Sequence, residues 1–184
     1  MKWFIDMIDF LIKFFYREKK VTNNKFSEHF TLKEVIKSET AVRKGIDNTP
    51  NDKVVSQLKA ICQNIMDPIR KHYGKPIRVT SGYRCPTLNK SIGGSSRSQH
   101  CALNNDAAID FEFYDMDMDL EEVFKWITEE SKLPFDQCIA EFLPHGWIHI
   151  SYKKIGENRQ KITRAKKVNG KTTYEQLGFS KNKV

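Results

Sequence analysis

The sequence predicts an α+β fold: a mainly antiparallel sheet with helices packed on it. Three observations predict it. Apolar residues at helical spacing lie early, in Val54, Val55, Leu58, Ile61, Cys62, Ile65, Met66 and Ile69. Strand-type alternation comes later, in Ala107-Ala108-Ile109-Asp110-Phe111-Glu112-Phe113 and in Gly146-Trp147-Ile148-His149-Ile150-Ser151. Asn169-Gly170, between two further extended stretches, is a strong type I′ hairpin signal. Helices segregated from strands along the chain favour α+β over an alternating parallel architecture.

Taken in order, Met1 to Lys20 comes first. Lys2, Asp6, Asp9, Lys13, Arg17 and Lys20 recur at helical period, leaving one charged stripe on a helix otherwise rich in Trp3, Phe4, Phe10, Leu11, Phe14 and Phe15. Asp6 and Asp9 break any apolar run long enough to cross a bilayer. No small-residue cleavage site follows, so the segment is a poor signal peptide. Something must cover so apolar a helix: a membrane interface, a partner chain or the domain itself. The expected organisation is a helix over 1–22, one domain over 23–178 and a tail over 179–184.

Thr31 with Glu34 forms a capping box for a short helix. Thr49 before Pro50 and Asp52 marks the start of the long helix, Pro68 is expected to bend it or end its regular part, and Gly74 ends it. Ile77 to Thr80 is a short strand leading into Ser81-Gly82-Tyr83-Arg84. Asn89 to Gln99, rich in Gly and Ser, reads as an ordered loop. Asp119 with Glu122 caps a helix through about Ser131. Phe135 to Phe142 is a strand, and Gln160–Val168 with Lys171–Leu177 form the hairpin.

The net charge of +8 is unevenly placed. Lys153 to Val184 holds ten Lys/Arg and two acidic residues, so this segment carries the whole excess. A basic tail suits a polyanion, or a solvated surface hairpin. Without interleaved aromatics or a binding motif, nucleic acid ranks last among partners. The four cysteines, Cys62, Cys85, Cys101 and Cys138, lack CxxC spacing and read as reduced thiols; a Cys85–Cys101 bridge needs the fold to bring them together.

Chemistry concentrates in two strands and a loop. In the first strand Ile109, Phe111 and Phe113 point one way and Asp110 the other. In the second, Ile148 and Ile150 oppose His149. Adding His100 from the preceding loop makes a His, Asp, His set with room for a water, the ligand count of a catalytic zinc site. A lone strand histidine is more often packed or solvent-facing, so specificity must come from the neighbours.

Those neighbours are Ser81-Gly82-Tyr83-Arg84-Cys85-Pro86, Leu88-Asn89, Gly93-Gly94, Ser98-Gln99-His100, Ala108-Ile109-Asp110 and Trp147-Ile148-His149-Ile150-Ser151. The order SGYR, SxH, AxD, WxH resembles the zinc D-Ala-D-Ala carboxypeptidase family, and within it the bacterial and phage murein peptidases, with a hedgehog-like fold. The likeness runs from about Phe26 to about Tyr174. It implies Zn2+ held by His100, Asp110 and His149, where it polarises the scissile carbonyl and lowers the pKa of its water. It implies a substrate anchor in Arg84 and a partner for the peptide backbone in Ser98. Glu141 matches an acidic residue this branch carries before its WxH and is the expected general base, with His145 as the weaker alternative. His29 matches the branch's opening pattern and is read as structural.

Two departures stand out. The family's aspartate usually follows the first histidine by seven residues with a glycine between; here the gap is ten and Asp106 falls where the glycine is expected. Asn104-Asn105-Asp106 can make the left-handed turn instead, giving a bulge that keeps Asp110 as ligand and Asp106 in reserve. Relatives outside the branch carry an acid three positions before the last ligand, where this chain has Gly146.

The expected function is a zinc metallopeptidase cutting peptidoglycan stem peptides, as a carboxypeptidase or an endolysin-type endopeptidase. It would be made in the cytoplasm without a cleavable signal, act at the bacterial cell wall, and associate with a membrane or virion. The alternative is a wall-binding or virion-structural module of the same fold with weak catalysis.

Overall fold

A computed structural model describes residues 26–179. The expected helix over 1–22 lies outside the described residues. So does most of the expected tail, although Phe179 ends the last strand.

Six strands form one sheet. They are β1 (Ile77–Ser81), β2 (Asp106–Phe113), β3 (Gln137–Glu141), β4 (Trp147–Lys153), β5 (Lys161–Val168) and β6 (Lys171–Phe179). Their spatial order is β1-β2-β4-β3-β5-β6. All neighbours run antiparallel except β3 and β5. The parallel pair arises because β4 intervenes between β3 and β5 in the chain, so the crossover returns in the same direction. Helices α1 (Leu32–Ile36), α2 (Glu39–Arg43), α3 (Asp52–Ile61), α4 (Asp67–Tyr73), α5 (Pro86–Ser91) and α6 (Leu120–Lys125) complete the α+β architecture.

The core lies between the sheet and the α3–α4 rod. Leu58, Ile61 and Ile65 meet Ile109, Phe111, Ile148 and Ile150, all of them buried. Each such side chain contributes roughly 1.5–3 kcal/mol by leaving water. The alternation expected for β2 therefore holds: its Ile and Phe residues line the core and Asp110 faces the other side. That other side is not simply surface, since Ala108 and Ser151 are also fully buried. The turn carrying His100 sets its ring on this side, beside Asp110.

Several boundaries differ from the sequence expectation, each for a local reason. Asn51, not Thr49, caps α3: its side chain accepts from the Val54 amide. Pro68 neither ends nor sharply breaks the rod. A π-helical turn, Cys62–Met66, joins α3 to α4 and puts Pro68 in the first turn of α4, where its missing N–H costs nothing. Gly74 ends α4 in the left-handed conformation, as expected. The Thr31–Glu34 capping box is formed. Asp119 caps α6 through the Glu121 amide and not through a box with Glu122, and a second π turn, Trp126–Glu130, extends that helix to Ser131. The stretch expected as loop from Asn89 begins inside α5, so its irregular part starts after Ser91. Asn169 and Gly170 both take positive φ and close the β5–β6 hairpin.

Buried Asp67 fixes the start of the described chain. It accepts from the Ser27 hydroxyl and from the Glu28 and His29 amides at 3.1, 2.9 and 3.0 Å. No described helix is long and apolar enough to cross a membrane.

Candidate metal centre

Register places the centre. Asp110 on β2 pairs directly with His149 on β4, so the two side chains emerge side by side on one face of the sheet. His100 arrives from a 3₁₀ turn, Gln99–Cys101, that leads toward β2. The ten-residue gap is absorbed before β2 begins: Ala102 and Asn105 take positive φ. This is the left-handed turn expected of the Asn104-Asn105-Asp106 run, with Ala102 as an addition that the sequence did not announce.

Three ligand atoms converge. His149 Nδ1 lies 2.7 Å from Asp110 Oδ1, His100 Nε2 lies 3.3 Å from the same oxygen, and the two ring nitrogens are 3.2 Å apart. Tetrahedral ligands on bonds of about 2.0–2.1 Å stand roughly 3.3 Å apart, so these atoms fit zinc after a small opening of the shortest pair. His100 is already in the required tautomer. Its Nδ1 lies 2.7 Å from the Gly82 carbonyl, which can only accept, so the proton sits there and Nε2 offers its lone pair. The carbonyl is held in place because Gly82 passes so close to Val35 that a Cβ would lie 2.1 Å from its oxygen.

The electrostatics suit a cation. Burial alone would raise the Asp110 carboxyl, but His100 and His149 outweigh it and hold the group far below the usual carboxylate range. Burial lowers His100, against the pull of Asp110, so the ring stays neutral and able to ligate. Asp106, the reserve ligand, is buried elsewhere. It pairs with Lys153, four places along the ladder from Asp110, and accepts from the Asn104 amide at 3.3 Å.

Arg84 follows β1, and its amide donates to the His100 carbonyl at 3.0 Å. Burial lowers its guanidinium while nearby Asp110 and Cys101 oppose the shift, and its Nε is buried with no hydrogen-bond partner. Ser98 is half-buried at the start of the turn, and its hydroxyl caps nothing. Glu141, the last residue of β3, is 9 % exposed. Burial raises its carboxyl; His149 opposes this and Asp110 adds to it. His145 is exposed in the turn between β3 and β4. Gly146 has a structural reason for lacking an acid: a Cβ there would lie 1.7 Å from the Glu141 carbonyl oxygen. All four cysteines are free and buried, so no Cys85–Cys101 bridge forms.

Two features of this region carry no local sequence signal. The first is a knot around Asp136, which is 0 % exposed. It accepts from Gln99 Nε2 at 2.9 Å and from the Arg159 amide and Nε at 3.1 and 2.9 Å, with Lys153 Nζ at 3.3 Å. Burial pushes this carboxyl up, but the Arg159 bonds prevail and bring it down to about 2. Through Gln99 the knot holds the turn that carries His100. The second feature is Tyr174. Register aligns Trp147, Glu141, Ala165 and Tyr174 across four strands. Burial, Glu141 and Asp110 raise the Tyr174 phenol, which places it in the field of the centre. Residues 99, 136 and 159, or 141 and 174, meet only through sheet order, which no single-strand pattern shows.

Asp110 and His149 from the sheet and His100 from the turn before it converge on one point, with an arginine and a glutamate nearby, which is the ligand set of a metal-dependent hydrolase. The model of the peptidase M15 family matches residues 28–151, more than half of the chain, and the chain belongs to that family. Membership makes it a metallopeptidase of a zinc-dependent kind. No curated protein matches the chain.

Proposed function

We propose that this protein hydrolyses peptide bonds in peptidoglycan stem peptides at the bacterial cell wall, as a carboxypeptidase or an endolysin-type endopeptidase such as a phage would use. The supporting observation is the convergence of His100 Nε2, Asp110 Oδ1 and His149 Nδ1, flanked by the half-buried Arg84 and the buried Glu141. Zinc held there supplies Lewis-acid polarisation of the scissile carbonyl and a water made acidic enough to attack near neutral pH.

The chain's own groups do the rest. Glu141 takes the proton from the attacking water and returns it to the leaving amine, a role worth about 10²–10⁴-fold. His145, exposed in the adjoining turn, is less suited to it. Arg84 offers a planar fork that matches a substrate carboxylate in two bonds, which lysine does not copy. The free Ser98 hydroxyl meets the peptide backbone. The apolar Met1–Lys20 segment would give the contact with a membrane or a partner chain.

Digestion of purified murein by the zinc-loaded protein, with and without chelator, tests the reading. Mass analysis of soluble fragments is expected to show cleaved stems only without chelator. A protein that binds zinc and murein yet releases nothing would instead be a wall-binding module.

A further inference from the structure

The free edge of the sheet beside the centre has a use that the centre itself does not exhaust. β1 is the first strand of the sheet, with β2 on one side only. Its register with β2 decides which of its amides are spoken for. The Tyr114 amide donates to the Pro76 carbonyl, so Pro76 and Tyr114 form a hydrogen-bonded pair, and Arg78 with Glu112 is the next. Ile77 and Val79, in the alternate pairs, must then turn their N–H and C=O groups away from β2. The other side of β2 agrees: the Lys154 amide donates to Asn105, so Ala107, Ile109 and Phe111 spend their backbone groups on β4. Among the described residues nothing bonds the outward groups of Ile77 and Val79.

They open into a cavity of about 690 Å³ between β1 and the α1–α2 and α5 segments. Its lining holds four cations, Lys37, Arg43, Arg78 and Arg84, against Glu34 and Glu39. The two acids are not idle. Glu34 closes the Thr31 capping box, and Glu39 lies 3.8 and 3.9 Å from Lys37 and Arg43. Those exposed pairs are weak and yield to a better-placed carboxylate. The cavity lies beside the centre: Ser81, in its lining, pairs with Asp110, and Arg84, also in its lining, donates its amide to the His100 carbonyl.

We infer that this groove binds the substrate as an added strand: an extended peptide bonded to the Ile77 and Val79 backbone, with a side-chain carboxylate at Lys37 and Arg43. An open edge accepts a peptide in this way, with main-chain bonds giving affinity and side pockets giving selectivity. At roughly 3.3 Å per residue, four or five residues fill the edge, whereas a dipeptide at the centre does not reach its far end. The inference rests on the peptidase reading above and adds that the protein prefers long acidic peptides.

The test uses the full zinc-loaded chain with a pentapeptide bearing one glutamate, its glutamine counterpart, and a dipeptide. Val79→Pro removes an outward N–H and no ladder bond, a change edge strands tolerate. It is expected to lower the pentapeptide-to-dipeptide ratio of kcat/KM at least tenfold, mainly through KM. Lys37→Glu with Arg43→Glu, at exposed positions where folding is not at stake, is expected to abolish the preference for glutamate over glutamine. Wild-type ratios in both variants would overturn the groove while leaving the peptidase intact. If the wild type binds zinc but cleaves neither peptide, the peptidase reading fails instead. Calorimetry of the uncleaved pentapeptide then decides the groove: Val79→Pro weakening binding tenfold supports it, and equal binding overturns it.

Discussion

The β2–β4 ladder and the β5–β6 hairpin are both antiparallel pairs, yet different physics holds them. In β2–β4 nearly every residue on the core face is buried, and the opposite face carries the half-buried Asp110 and His149, met by His100 from outside the pair. β6 is exposed along almost its whole length, and Tyr174 is 60 % exposed. Its pairing is written locally, in the Asn169-Gly170 turn and an exposed Lys166–Glu175 ion pair at 2.7 Å. The difference teaches where a change will be felt. In the centre a single atom alters chemistry and packing together; in the hairpin it alters one local term. The basic charge around the hairpin turn, at Lys166, Lys167 and Lys171, thus sits on a solvated surface.

The largest effect is expected at the ladder's own pair. Asp110→Ala removes the oxygen shared by both histidines and is expected to abolish stoichiometric zinc by metal analysis, with at least about 10³-fold less turnover. Asp106→Ala, four places along the same strand, is expected to keep zinc. The reverse result would transfer the ligand to Asp106 and break the register argument. Next comes Glu141→Gln, expected to retain zinc and lose about 10²–10⁴-fold in kcat. Unchanged kcat would return the base to His145 or remove it from the chain.

Much of the ladder was legible because strand parity is a strict rule: Ile109 and Phe111 inward require Asp110 outward, and Ile148 inward requires His149 outward. The Thr31 box and the Asn169-Gly170 turn were legible for a similar reason, each being a short-range pattern with one geometric solution. The π turn ahead of Pro68 was not, since sequence states that proline lacks a donor and not how a neighbouring turn adapts. Gly146 looked like a missing acid because its contact with the Glu141 carbonyl exists only after the turn has closed. The Asp136 knot and Tyr174 were hidden by distance along the chain.

The knot gives two smaller predictions. Asp136→Asn leaves Arg159 and Lys153 without their counter-charge. The cost is on the order of 2 kcal/mol, below that of a fully buried pair because Arg159 is half in water. The pH dependence has a definite sign. The folded pKa of about 2 lies below the unfolded value, so the stabilisation is full above about pH 4 and is lost as pH falls through about 2. Acid unfolding of wild type and Asp136→Asn is therefore expected to converge at the low end. A constant gap down to pH 2 would show that Asp136 acts by shape and not by charge. Gln99→Met cuts only the link from the knot to the turn, and is expected to weaken zinc 10–100-fold in a chelator competition with little change in Tm.

The smallest effect is expected in the hairpin, and it sharpens the comparison most. Gly170 has φ of 75°, a conformation that costs a residue bearing a Cβ about 1–2 kcal/mol, and nothing lies within 4 Å of where that Cβ would stand. Gly170→Ala therefore meets strain but no clash, and its destabilisation is expected near 1 kcal/mol. Zinc affinity is expected to stay within twofold of wild type, because neither β5 nor β6 carries a ligand. Turnover is the finer readout, since Tyr174 lies four residues beyond this turn and in register with Glu141 through Ala165. If the hairpin is only a solvated flap, kcat follows the zinc occupancy and does not move. If kcat falls while zinc stays bound, the hairpin delivers Tyr174 to the centre. Tyr174→Phe, which removes the phenol and leaves the turn alone, would then reproduce the loss.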